Sequence, residues 1–182
     1  MPEAPAKPPV IDELVGSAHG NLARVEELLE ANPDLVDLKA SWNETPIEAA
    51  TQMGNRPIID YLIGRGAPVD FFTALVLGHT DEVDKHPELV NARGIHDLPA
   101  LYFAAIGGHV TTAETLIAAG ADVNARSPAA APIHGAVMGG DAGMVRVLLE
   151  HGADPSLKDY AERDAKSLAM AIQRPELAAL FD

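Results

Sequence analysis

The chain has 182 residues, 47% of them hydrophobic and only 4% aromatic, with 13 basic against 27 acidic side chains and a formal net charge of -14. That composition predicts a core of Ala, Leu, Val and Ile in close-packed short helices. A field of that sign repels phosphate backbones and anionic membranes, which excludes nucleic acid as an expected partner. With no cysteine, disulfide staples, thiolate metal sites and thiol nucleophiles are also excluded, as suits a reducing compartment.

Residues 1–10 open Met1-Pro-Glu-Ala-Pro-Ala-Lys-Pro-Pro9, with neither the basic nor the apolar region of a secretory signal, and no stretch approaches 18 uninterrupted apolar residues. They predict a short disordered leader on a soluble, cytoplasmic protein. In the first unit a short helix runs to a turn at Gly20. A second helix follows, with Leu22, Val25, Leu28 and Leu29 forming one apolar stripe at spacings of three and four. The second unit begins after a projecting segment around 41–44. Thr45-Pro46-Ile47-Glu48 combines an N-cap hydroxyl, a proline at the first helical position and a glutamate at the third. Gly54 marks its inner turn, and Ile58, Ile59, Leu62 and Ile63 its second stripe, ending at Gly66.

The third unit is shortened twice. Pro68-Val-Asp70 runs almost directly into Phe71-Phe-Thr-Ala-Leu-Val-Leu77, so Gly54 and Gly78 are only 24 apart and no room is left for a projecting segment. Its second helix also loses about one turn, since Gly20 to Pro33 spans 13 residues but Gly78 to Pro87 only 9. Both exits then read alike, as Pro33-Asp-Leu-Val-Asp37 and Pro87-Glu-Leu-Val-Asn91. The fourth and fifth units follow, with turns at Gly108 and Gly140. Gly120-Ala-Asp-Val-Asn124 returns 32 residues later as Gly152-Ala-Asp-Pro-Ser156. A recurrence of that length marks modules that bury their apolar faces only by stacking on neighbours.

Thr45-Pro-Ile-Glu-Ala-Ala50 and Ala131-Pro-Ile-His-Gly-Ala136 resemble the ankyrin signature T-P-L-H-x-A, and Leu101-Tyr-Phe-Ala-Ala-Ile-Gly-Gly-His109 resembles its continuation. The resemblance covers about residues 11–182. It implies an all-α repeat solenoid of antiparallel helix pairs, with short β-hairpin fingers between units and a concave groove. On this reading 11–182 form a single domain of about five repeats, the third shortened, closed by capping helices in 160–182. The missing finger predicts a notch flanked by Ser41 to Glu44 and Gly94 to Leu98.

Seven histidines offer no metal-binding spacing, so neither metal nor cofactor is expected. His79 and His109 follow turn glycines, and the resemblance gives His134 the role of holding neighbouring turns together. His96 has no such explanation: Ile95-His96-Asp97 falls at a predicted finger tip, and Trp42 with Asn43 occupies the corresponding finger of unit two. Large amphipathic rings supply contact area at low entropy cost, so Trp42 is either an exposed anchor or packs back on its own helix pair. Asp97 either joins it or caps the helix beginning near Pro99. Tyr102, Phe103 and Met138 enlarge the neighbourhood, although at helical spacing part of such a set is core.

Two functions compete. The first is a non-enzymatic, monomeric interaction module binding a basic or amphipathic protein through Trp42, Asn43, Ile95, His96, Asp97, Tyr102, Phe103 and Met138. The alternative is a small-molecule binding protein or enzyme with its pocket at the shortened third repeat, in which His96 and Asp97 act as acid and base and Tyr102 donates a hydrogen bond.

Overall fold

The computed structural model describes residues 9–182. The expected leader falls mainly on residues 1–8, outside the described residues, and Val10 already opens the first helix. The chain divides into two compact units, 1–68 and 69–182. In the first, α1 (Val10–Ala18) pairs with α2 (Leu22–Ala31) and α3 (Pro46–Gln52) with α4 (Arg56–Gly64). α1 also packs on α3, and α2 on α4. In the second, the pairs are α5 (Phe71–Leu77) with α6 (Asp81–Lys85), α7 (Ala100–Ile106) with α8 (Val110–Ala118), α9 (Pro132–Gly139) with α10 (Ala142–Glu150), and α11 (Ala165–Ala171) with α12 (Pro175–Ala178). There α5, α7, α9 and α11 follow one another in contact, as do α6, α8 and α10. Within each unit this is the stacking of an all-α repeat solenoid.

Local chemistry sets the helix starts. Asn21, Asn55, Asp70, Asp141 and Asp164 each accept a backbone N–H from the first turn of the helix they precede. At α3 the box is complete: Thr45 Oγ1 accepts from the Glu48 N–H at 3.3 Å, and Glu48 Oε2 accepts from the Thr45 N–H at 2.8 Å. Ala131 has no hydroxyl to offer α9, so only the reciprocal half forms, the Ala131 N–H donating to His134 Nδ1 at 3.1 Å. The fully buried His134 uses its other nitrogen to donate to the Arg163 carbonyl at 3.2 Å. Neighbouring turns are thereby tied together, as the resemblance implies. Burial lowers its pKa, and the backbone contacts only partly offset that effect.

Stacking is tight where side chains are small. A Cβ on Gly139 would lie 2.5 Å from the Ile106 carbonyl oxygen, so only glycine permits this approach of α9 to α7. α7 itself is buried along its whole length. As the spacing predicts, α6 is short and residues 65–70 run into α5 without a projecting segment.

The fingers differ from the β-hairpins implied by the resemblance. Among the described residues there is no strand, only an isolated bridge between Arg93 and Pro99. Three of the fingers are five-residue turns. The Ala40 N–H donates to the Glu44 carbonyl and the Asn43 N–H to the Ala40 carbonyl, both at 2.9 Å. Residues 94–98 and 159–163 repeat the pattern, and the fourth residue is left-handed each time: Asn43 at φ 69°, Asp97 at 59° and Glu162 at 59°. A helix N-cap follows at once, so no residues remain to extend a ladder.

Asparagines clasp successive exits in the second unit. Asn91 donates to the Gly120 carbonyl at 3.0 Å and accepts from the Asp122 N–H at 3.1 Å. Asn124 does the same to Gly152, at 2.9 Å, and to Asp154, at 2.7 Å. In register, the first unit has Asp37, Gly66 and Pro68 instead. An ionised aspartate has no N–H to donate and proline none to offer, so this clasp cannot form there.

Candidate functional site

Trp42 stands at the tip of the first finger with 47% of its surface exposed. Its edge is nevertheless held, since the indole Nε1–H donates to Glu44 Oε2 at 2.6 Å. The ring is thus tied at one edge to its own finger while about half of its surface meets solvent. Glu44 is 1% exposed, and a buried carboxylate requires donors. A second comes from Gln52 Nε2 on α3, 2.6 Å from Oε1. The same amide nitrogen lies 2.8 Å from His19 Nε2, and His19 Nδ1 lies 3.1 Å from the Val15 carbonyl. His19 Nε2 also lies 3.8 Å from Glu44 Oε1, so the three side chains form one network. Beside the tip, Asp12 accepts from the Ser41 N–H at 2.7 Å and from Ser41 Oγ at 2.9 Å. Asn43, left-handed and exposed, completes the tip.

His96 occupies the same slot of its own turn. It too is left-handed, at φ 54°, and both it and Asp97 are exposed while Ile95 is half-buried. Two consecutive left-handed residues with side chains store backbone strain. The base of the turn is braced by Arg93, whose guanidinium donates to the carbonyls of Asp97 at 3.2 Å and Arg126 at 2.8 Å. Tyr102 and Phe103 are core, Tyr102 only 3% exposed and Phe103 wholly buried. The Tyr102 hydroxyl lies 3.8 Å from Sδ of the half-buried Met138, and burial raises its pKa. Phe103 supports the finger from below, for a Cβ on Gly94 would come within 2.9 Å of its ring. The structure thus groups Ile95, His96 and Asp97 at one tip and Tyr102, Phe103 and Met138 in packing beneath. Both aromatic rings belong to α7, which is buried along its whole length.

The last finger is locked by charge. The buried Asp159 carboxylate accepts the N–H groups of Ala161 and Arg163 and is bracketed by the Arg163 guanidinium at 2.8 and 3.0 Å. Burial alone would raise its pKa, but the Arg163 and Ala161 bonds outweigh burial and hold it below the usual range. Tyr160, 76% exposed, carries the Arg163 guanidinium 5.7 Å above its ring. A separate cleft of about 300 Å³ in the second unit, between Val90, Arg93, Pro99, Leu101 and Asp122, contains none of the predicted site residues. Among the described residues no cluster of three or more His, Asp or Glu side chains could hold a metal ion, and no helix is long and apolar enough to cross a membrane.

Sequence reasoning did not identify the Glu44–Gln52–His19 network. The signal lay in register: Glu44 aligns with Leu98, Ala130 and Arg163, a carboxylate in a slot that two other units fill with a buried apolar residue.

Helix pairs joined by short solvent-facing turns define a helical repeat protein. The chain belongs to the ankyrin repeat family: the family model for ankyrin repeats in three copies matches residues 15–127 and 71–159. It is 31% identical over 162 residues to an ankyrin repeat-containing protein of Treponema pallidum, covering 88% of this chain and 47% of the relative. An ankyrin repeat protein of Rickettsia felis is 25% identical over 156 residues, covering 80% and 60%. Alpha-latrocrustotoxin-Lt1a of Latrodectus tredecimguttatus is 31% identical over 114 residues, covering 56% and 8%. The chain therefore spans less than two thirds of the length of each of these relatives. Ankyrin repeats are generally modules of protein–protein interaction.

Proposed function

We propose that this chain is a non-enzymatic recognition module of a cytoplasmic protein, acting as a monomer and binding a basic or amphipathic protein partner through its finger tips. The observation that carries this reading is Trp42. The indole is about half exposed to solvent, and its edge is pinned to a buried carboxylate rather than left to rotate. Such an anchor loses little rotamer entropy on binding, which is how a few aromatic residues come to dominate an interface. The formal charge of -14 favours a partner of opposite sign and speeds encounter with it. His96 and Asp97, exposed at another tip, are polar contacts for the same partner class.

Affinity capture with the wild-type chain and with Trp42→Ala tests the proposal. A stoichiometric protein retained by the wild type and lost from a folded Trp42→Ala variant supports it. Absence of any stoichiometric partner, or equal retention by both forms, would overturn it.

A further inference from the structure

In the first unit Arg24, Arg56 and Arg65 are paired internally. Arg24 bridges Glu13 and Glu27 at 2.5 Å each, Arg56 meets Asp60 at 2.7 Å, and Arg65 lies 3.9 Å from Glu30 and 4.9 Å over the Tyr61 ring. Residues 1–68 nevertheless carry 11 acidic against 5 basic side chains. Lys39, exposed at the entrance to the first finger, is not among the residues stacked on a ring.

Among the described residues two aromatic rings are covered by a guanidinium, Tyr61 by Arg65 and Tyr160 by Arg163. Trp42 presents the stronger cation-binding face of the three and has no such cover. Its surroundings strengthen that face. Donation of Nε1–H to the Glu44 carboxylate shifts electron density into the indole ring, and the Asp12 carboxylate is fixed beside the tip by Ser41.

We infer that Trp42 receives an arginine from a basic segment of the partner protein, the guanidinium stacking on the open indole face beside Asp12. This rests on the recognition role proposed above and adds the chemistry of the contact. Arginine fits better than lysine because its planar, weakly hydrated head can lie flat on the ring while its edge N–H groups reach a carboxylate.

Trp42 is the only tryptophan of the chain, so its emission reports on the site directly. The probe is a flexible Gly-Ser peptide carrying two arginines, compared with the same peptide carrying citrulline, which keeps the shape and loses the charge. The expected result is a saturable change in emission with the arginine peptide and a loss of about tenfold in affinity with citrulline. Calorimetry with Trp42→Leu should show a similar loss, and Trp42→Phe, which keeps an aromatic face, a smaller one. Equal affinity for both peptides would overturn the inference, as would undiminished binding of the arginine peptide by Trp42→Leu, or no binding at millimolar peptide. A captured partner that depends on Trp42 but contributes no arginine to it would sink this inference alone and leave the recognition role standing.

Discussion

The indole nitrogen of Trp42 and the carboxylate of Glu44 are 2.6 Å apart, joined across a turn of which one residue is half-exposed and the other almost wholly buried. A surface ring is therefore oriented from the interior. Replacing Glu44 by Leu, the residue found at the equivalent position 98, removes the acceptor for both Trp42 and Gln52. Steady-state anisotropy of Trp42 emission is expected to fall as the ring is released. Chemical denaturation is expected to show a loss of about 1–3 kcal/mol from the stranded donors. Unchanged anisotropy would show that the ring is held by packing instead.

His134 predicts a pH dependence with a definite sign. Its neutral form is favoured in the folded state, mainly by burial, so the folded pKa lies below the unfolded value near ~6.5. Its contribution is complete above that value, where both states are neutral. It declines as pH falls toward the folded pKa, because the unfolded chain then binds the proton more readily. Urea midpoints at pH 7.5 and 5.5 are expected to differ more for the wild type than for His134→Gln.

The asparagine clasp is testable at position 124. Asn124→Asp keeps an acceptor for the Asp154 N–H but sets a carboxylate oxygen against the Gly152 carbonyl. A cost of roughly 0.5–1.5 kcal/mol in thermal or urea unfolding is expected for the lost exposed bond. Asp37→Asn should recover little stability, because Pro68 has no N–H to complete the pair.

Core and contact positions separate in magnitude. Leu148, wholly buried on α10, should cost ~2–5 kcal/mol when replaced by Ala. Gly139→Ala adds only one carbon, yet that carbon would meet the Ile106 carbonyl oxygen at 2.5 Å. It is expected to destabilise by about 1–3 kcal/mol, far more than a surface Gly→Ala change, and calorimetric melting would measure both.

Helix pairs were legible in the sequence because their signals are local: the Thr45 and Glu48 cap, the apolar stripes, and the glycines at 120 and 152, observed at φ 96° and 86°. The shortening of the third unit followed from counting residues. The form of the fingers did not, since their left-handed positions are held by Asn43, Asp97 and Glu162, none of them the glycine that normally signals such a turn. Helical spacing marked part of the set Tyr102, Phe103 and Met138 as core without saying which; both rings are buried because α7 is enclosed all round. The network under Trp42 depends on Gln52 and His19, far apart in sequence and brought together only by the packing of α1 on α3.

The turns at 40–44, 94–98 and 159–163 each close through a pair of main-chain bonds whose donors and acceptors are the first, fourth and fifth residues, so those two bonds are the same whichever residue stands third, Trp42, His96 or Ala161. Such a position behaves as a socket with a replaceable fitting. Randomising these three codons should therefore yield variants of altered specificity from a largely undisturbed framework, with Glu44 as the one support that would need to be re-chosen alongside its ring.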